Sequence, residues 1–284
     1  MVYIFTALYC EAYIFIRHFH LIKKQENTWF QQFYHETAGI VLTITGVGEI
    51  AAAAAVSSVC SLYRPTHNDF LLNIGICAHT AKGTGIFLCN KIVEKATGRT
   101  FYPDMLFRHH FTEETIVTGM QPYYSDGTRN GTNHSAGALY DMEAAAVYQT
   151  GSHFFSPHQM LFLKIVSDSG KTKDVSKEQT VILMEQYKNV IFDFIGHLSS
   201  IAQTIGCHES PFSQEDEMLI ETFCKDLHCS KTMKNFMIQY IHYLALEGID
   251  YSCMIRELYE KKLLPCKDKR EGKQYFERFK ERLF

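Results

Sequence analysis

Residues 40–45, IVLTIT, are β-branched or leucine at every position, so a strand here must be covered on both faces. The run ends at Gly46 and Gly48 and passes directly into EIAAAAAVSSV, which alanine content makes strongly helical. A strand buried on both sides and followed at once by a helix is the unit of an α/β layer structure. The same grammar recurs along the chain. VYIFTAL at residues 2–8 is a strand that feeds a helix over Glu11 to Lys24. Residues 28–35 read as an edge strand, Phe70 to Gly75 and Gly85 to Val93 as buried strands, and Thr115 to Thr118 as a shorter one. Beyond the turn-forming loop SDGTRNGTNHSAG come a strand-like ALYDM, a helix from Glu143 to Thr150, a strand from Met160 to Val166 ending in Ser167-Asp168, and a long helix from Lys177 to Thr204. The alternation predicts a three-layer α/β/α sandwich on a mixed, largely parallel central sheet, with ligands gathered at the carboxyl ends of the strands.

From Ser210 onward the pattern changes to three or four amphipathic helices separated by Gly248 and Pro265, without a convincing strand. The expected division is therefore a domain at residues 1–208 and an all-helical C-terminal extension at 209–284. Length is compatible with that, because 284 residues of which 46% are hydrophobic fill one large core or two modest ones. A formal charge of −3 creates no field that would recruit nucleic acid or an anionic membrane. Residues 261–284 hold nine Lys/Arg against four Asp/Glu, but their helical interleaving reads as a solvated face, so a nucleic-acid role is not expected.

Nine scattered cysteines lack the spacing of a secreted disulfide framework, which predicts a reducing, cytoplasmic setting. The apolar first sixteen residues have no basic region before them and are interrupted by Glu11, unlike a signal peptide. No stretch reaches the length of a membrane span. Sequons at Asn130 and Asn133 read as part of a turn-rich loop. Cys224, His228 and Cys229, with Cys207 and His208 upstream, contain no paired CxxC unit and read as helix packing; no metal is expected.

Two arrangements are candidates for chemistry. Gly46-Val47-Gly48-Glu49-Ile50-Ala51 resembles a dinucleotide turn, but Asp69 lies at the start of the next strand, whereas such a site wants its acidic residue at the end. The two glycines read instead as a tight turn that permits close backbone approach. Glu11 follows the first strand, Glu143 opens a helix after ALYDM, and Asp168 ends LFLKIVSD. A shared strand direction brings these three carboxylates to one rim, where crowding lets one hold a proton while another, ionised, activates a water. Each taken alone also fits a helix start, where acidic groups complement the macrodipole.

The ordered set TGVGEIAAAAA, LLNIGICA, DMEAAAVYQTG and KIVSDSG resembles the nucleoside phosphorylase and nucleosidase superfamily, most closely its methylthioadenosine/S-adenosylhomocysteine nucleosidase-like branch. The resemblance spans about residues 2 to 205 and stops short of the helical extension. It implies a hydrolase for the N-glycosidic bond of a 5′-modified adenine nucleoside, working without a metal or organic cofactor and commonly as a homo-oligomer. By position, Met142 and Glu143 match the pair that supports the sugar. A buried carboxylate suits a diol because it only accepts hydrogen bonds. Asp168 matches the aspartate that protonates N7 of the purine, with Ser167 orienting it, and Glu11 matches the glutamate that positions and deprotonates the attacking water. Gly48, Gly75 and Ile76 fall in the substrate-facing turns.

Phosphate-dependent relatives carry an arginine shortly before the Gly-Ser segment that follows the third strand, and here that stretch is FLLNIGIC, with neither arginine nor serine. Hydrolysis is therefore expected over phosphorolysis, with Arg64 and Arg99 the nearest alternatives. The superfamily's small turn after the third strand is replaced by Ile76-Cys77-Ala78-His79, which gives His79 two readings, a new base or sugar contact or a structural turn residue. Tyr102, Arg108, His109 and His110 stand in a segment that departs from the pattern and reads as either pocket or interface. A noncatalytic nucleoside-binding module with a partner-binding tail is the alternative of another class.

Overall fold

The computed structural model describes residues 1–24, 29–79, 84–106, 108–123, 138–170, 175–206 and 212–281. The Asn130 and Asn133 sequons and the Cys207-His208 pair lie outside the described residues. The chain divides into two compact units, Met1–Gly206 and Cys207–Phe284.

The first unit is built on one sheet. Its strands are β1 (Val2–Thr6), β2 (Ile22–Lys23), β3 (Gln31–His35), β4 (Ile40–Ile44), β5 (Phe70–His79), β6 (Ile86–Glu94), β7 (Thr100–Phe101), β8 (Thr112–Thr118), β9 (Leu139–Asp141) and β10 (Met160–Asp168). The helices are α1 (Tyr9–His18), α2 (Glu49–Tyr63), α3 (Ala144–Gly151) and α4 (Lys177–Gly206). The central pairings β4–β1, β1–β5 and β5–β10 are parallel, as are β6–β8 and β8–β9. The remainder, β10–β6, β2–β3, β3–β4, β5–β9 and β6–β7, are antiparallel. The sheet is thus mixed, with five described pairings of each sense, and the parallel ones include β6–β8 and β8–β9, where no described helix returns the chain. Short connections such as β2 to β3 to β4 and β6 to β7 reverse it instead.

Apolar side chains leave the sheet on both faces. One set, including Phe5, Leu71, Phe87, Phe162 and Val166, packs with α2 and α3. The other, including Ile4, Leu72, Leu163 and Ile165, packs with α1 and α4. Burial on both faces explains why β1, β4, β5 and β10 are continuous apolar runs. Strand β5 runs four residues beyond the expected end at Gly75, so Ile76 to His79 is not a turn. Its last residues are held on two sides, Ala78 and His79 by β9, and Ile76 to Ala78 by β10. His79 is fully buried and its ring stacks on Phe87, which removes its reading as a turn residue.

One charged side chain stands inside these runs. Lys164, in the middle of β10, is 1% exposed. Its Nζ lies 2.8 Å from Asp141 Oδ2 at the end of β9. Asp141 also accepts from Thr118 Oγ1 on β8 (2.7 Å) and from the Ala144 amide at the start of α3 (2.9 Å). Thr118 Oγ1 in turn accepts from the Ala145 amide at 3.0 Å. Burial alone would lower the Lys164 ammonium, but Asp141 and Glu143 reverse this and hold it above the ordinary lysine range.

The second unit contains four described helices, α5 (Gln214–Asp226), α6 (Lys231–Leu246), α7 (Tyr251–Glu260) and α8 (Lys269–Glu281). Its own core includes Phe223, Leu227, Met237, Ile241, Ile255, Phe276 and Phe279. Ser213, Ser230 and Asp250 cap the first three helices by accepting from the amide three residues on. On α8, Lys269, Arg270, Lys273 and Arg278 are exposed, with Phe276 and Phe279 turned into the core.

Replacing Lys164 with Met is expected to cost about 3–5 kcal/mol, because Asp141 is left as an unpaired buried charge. Adding Asp141→Asn should recover part of that loss. Urea unfolding of the single and double variants measures both effects.

Candidate active site

The carboxyl ends of β1, β4, β5, β9 and β10 carry the side chains singled out in the sequence. Glu11 stands in the first turn of α1, where its side chain folds back on the helix start. Oε2 accepts from the Leu8 amide at 2.9 Å and Oε1 from the Ile76 amide on β5 at 2.9 Å. The residue is 2% exposed. Burial raises its pKa, against the two backbone amides and the Lys164 ammonium, which lower it. Glycine at 75 is a steric condition of this seat, since a Cβ there would lie 2.6 Å from Glu11 Oε1. Each carboxylate oxygen retains a second lone pair for another donor.

Glu143 directly precedes α3 and reaches across to the glycine turn between β4 and α2. Its Oε1 accepts from the Gly48 amide at 2.8 Å, and Oε2 from the Met142 amide at 3.3 Å. Gly48 has φ +99°, a conformation that L side chains rarely adopt, so glycine is required for the amide at the start of α2 to meet Glu143. Burial first, and the nearby Asp141 carboxylate second, push Glu143 up to about 7; Lys164 and the Gly48 amide oppose the rise. Glu11 adds to the repulsion at Glu143. Glu11, Glu143, Asp141 and Lys164 are therefore one electrostatic group, three acids around one ammonium.

Asp168 ends β10 just past an irregularity in its pairing with β5, which sets it opposite Ala78. Its Oδ1 accepts from the Gly170 amide (2.6 Å) and its Oδ2 from Ser167 Oγ (2.8 Å). Ser167 Oγ also lies 3.1 Å from the Cys77 carbonyl oxygen on β5, so its single proton chooses between the two acceptors. Ser167 and Asp168 are half-buried and form a pair of their own on the β5–β10 edge.

The structure thus joins Glu11 to Gly75 and Ile76, Glu143 to Gly48 and Met142, and Ser167 to Asp168. Sequence reading missed Lys164 and Asp141. The signal was present as a lone lysine inside LFLKIVSD and an aspartate at the end of a buried strand. The basic residues considered as alternatives have other places. Arg64 terminates α2, sixteen residues beyond Gly48, which is about 24 Å along a helix. Tyr102, Arg108 and His110 are exposed, and His109 faces Glu113 at 3.5 Å. Among the described residues no cluster of three or more His, Cys, Asp or Glu side chains has the arrangement of a metal site. Among them, too, no helix is long and apolar enough to cross a membrane.

No family model matches the chain, and no curated protein sequence matches it. Solved structures do. The methylthioadenosine/S-adenosylhomocysteine nucleosidase of Streptococcus pneumoniae, bound to a transition-state inhibitor, superposes with a TM-score of 0.55 at 16% identity, covering 68% of this chain and 97% of that one. The corresponding nucleosidase of Colwellia psychrerythraea 34H, in complex with adenine, gives 0.57 at 15% identity over 69% of this chain and 95% of that one. A futalosine hydrolase mutant of Helicobacter pylori gives 0.54 at 10% identity, over 68% and 98%. The first unit shares its fold with these nucleosidases and this hydrolase. At these identities the nucleosidase fold is shared while most side chains differ, so the chemistry rests on the residues described above.

Gly75→Ala is expected to destabilise the chain by about 1–3 kcal/mol through the clash with Glu11. In a Glu11→Ala background the same change should cost much less. A double-mutant cycle in urea reads the coupling directly.

Proposed function

We propose that residues 1–208 form a nucleosidase that hydrolyses the N-glycosidic bond of a purine nucleoside, specifically an adenine nucleoside with a modified 5′ position. The observation that carries this reading is the pair of buried carboxylates, Glu11 and Glu143, seated on backbone amides of two glycine-containing segments with acceptor capacity to spare. In this reading Glu143 accepts from the ribose hydroxyls while Met142 packs on the sugar. Glu11 holds a water and takes its proton as the oxygen attacks the anomeric carbon. Asp168, oriented by Ser167, donates a proton to the purine ring nitrogen, so that the base leaves neutral as the glycosidic bond breaks. The Gly48, Gly75 and Ile76 backbone shapes the cradle. The nucleosidase-fold structures described above, with adenine or a transition-state inhibitor bound, support the choice of ligand class.

Hydrolysis is preferred to phosphorolysis on a charge argument. A phosphate nucleophile needs fixed positive donors. The cation tied to the carboxylate group is Lys164, and its ammonium is already engaged by Asp141 beneath the site. A carboxylate at Glu11 repels phosphate and attracts the proton of water. Residues 209–284 are a helical extension outside this chemistry in our reading. A homo-oligomer in a reducing, cytoplasmic setting completes the proposal, consistent with the free cysteines among the described residues.

Chromatography of free base after incubation with methylthioadenosine, S-adenosylhomocysteine, 5′-deoxyadenosine, adenosine and inosine, with and without phosphate, tests the reading. Base release in phosphate-free buffer is expected. Release only with phosphate, or none from any nucleoside, overturns it. Asp168→Asn is expected to lower the rate about 10²–10⁴-fold, the usual value of general acid catalysis.

The pH dependence has a definite sign. Glu143 titrates near 7 and accepts from two hydroxyls only when ionised, so kcat/KM should rise with pH through about 7. Glu143→Gln should be slow and lack that rise. A pH profile of the same assay that is flat between 6 and 8 in the parent protein would remove Glu143 from the sugar-binding role.

A further inference from the structure

The carboxyl end of α5 is the point where the second unit is tied together. The Cys266 amide donates to the Asp226 carbonyl at 2.9 Å, and Tyr259 Oη donates to Asp226 Oδ2 at 2.6 Å. Helix α8 meets the same turn so closely that a Cβ on Gly272 would lie 1.8 Å from the Leu227 carbonyl oxygen. The turn itself is a Schellman motif. The Cys229 amide donates to the Cys224 carbonyl (3.0 Å) and the His228 amide to the Lys225 carbonyl (2.9 Å). Glycine usually fills the left-handed position of that motif, but here it is His228, at φ +51°. Its ring Nε2 lies 3.0 Å from the Cys266 carbonyl oxygen, which helps to offset the strain.

A Schellman turn brings the side chain three residues before the helix cap against the one two residues after it, and that contact is normally apolar. Here both members are cysteines, Cys224 and Cys229, and both are free thiols. The 6→1 hydrogen bond between their backbones keeps their Cα atoms within the roughly 4.4–6.8 Å window that disulfides span. Cys224 is buried and Cys229 half-buried, so one thiol is reachable from solvent and the other waits beneath it. Burial raises both thiols, Cys224 to about 12. At Cys229 the rise is opposed by the Cys224 thiol and by the Lys234 ammonium, which pairs with Glu221 at 2.9 Å.

We propose that Cys224 and Cys229 are a dithiol modification site, closed to a disulfide by hydroperoxides, at the turn that ties the helical unit together. Cys229 gives up its proton, its sulfur attacks one peroxide oxygen, the O–O bond breaks, and the departing hydroxide leaves with that proton as water while the sulfur keeps the other hydroxyl as sulfenic acid. Cys224 then gives up its proton and attacks the Cys229 sulfur. An S–S bond forms, the S–O bond breaks, and the hydroxyl leaves with that proton as a second water. Two thiols and one hydrogen peroxide thus become one disulfide and two waters, each sulfur losing one electron.

The test uses the full chain, hydrogen peroxide in small excess, maleimide blocking of remaining thiols, and tryptic digestion without reduction. Cleavage after Lys225, between the two cysteines, should give two peptides joined by a Cys224–Cys229 disulfide, with two thiols lost from the titre. The linked pair should reopen with dithiothreitol, persist in Cys207→Ser and in Cys253→Ser, and disappear in Cys224→Ser and in Cys229→Ser. In guanidinium the same treatment should give a mixture of pairings, because the turn that selects these two is gone. Absence of the linked peptide in the folded parent chain, at peroxide levels that consume the exposed Cys253, overturns the proposal. So does equal yield of that peptide from the folded and denatured chains.

Discussion

The Lys164–Asp141 ion pair sets the terms for the first unit. A lysine ammonium withdrawn from water costs several kcal/mol even after relaxation, so it is stable in β10 only because a carboxylate meets it at 2.8 Å. That carboxylate is in turn held by Thr118 and by the amide that starts α3. One buried cation therefore fixes β8, β9, β10 and a helix relative to one another. It also sets the charge balance above it. With Glu11, Asp141 and Glu143 gathered around a single ammonium, full ionisation would leave two uncompensated negative charges in a poorly solvated space. Glu143, buried and beside the Asp141 carboxylate that already holds the ammonium, carries the consequence as a pKa near 7.

The carboxylates are held by backbone amides more than by side chains. Leu8 and Ile76 seat Glu11, and Gly48 and Met142 seat Glu143. Amides at strand and helix ends move little, so these acids are fixed as rigidly as the sheet itself. The glycines follow from this arrangement. Position 75 has no room for a side chain beneath Glu11, and position 48 needs a positive φ to aim its amide at Glu143. What the sequence shows as two unremarkable glycine turns is, in the fold, the steric and conformational cost of presenting backbone donors to buried acids.

Much of the fold was legible because strands covered on both faces must be apolar throughout and helices covered on one face must not. That contrast located β1, β4, β5, β6 and β10 and separated them from α2 and α4. It carried no information on direction, and short links reverse the chain at β2–β3, β3–β4 and β6–β7, so the sheet mixes both senses. The ends of β5 were illegible for a related reason: ICAH reads as a turn in isolation, and becomes strand only because β9 and β10 supply partners on both sides. At the candidate site, Glu11, Glu143 and Asp168 were visible as acids at strand ends. Lys164 and Asp141 were not, since a charge inside an apolar run is meaningful only with a partner, and their separation in sequence hides the pairing.

The two units solve the same problem, a polar group at the end of an element, with different residues. In the first, strand and helix ends meet carboxylates, and the fold retains acceptors that a ligand with hydroxyl groups can use. In the second, the end of α5 is closed by its own chain, with His228 in a glycine's place and paired cysteines where an apolar contact belongs. Neither substitution improves the packing of a helical bundle. Two aliphatic residues would bury more apolar surface at this contact, so the paired cysteines are better explained by thiol chemistry than by stability.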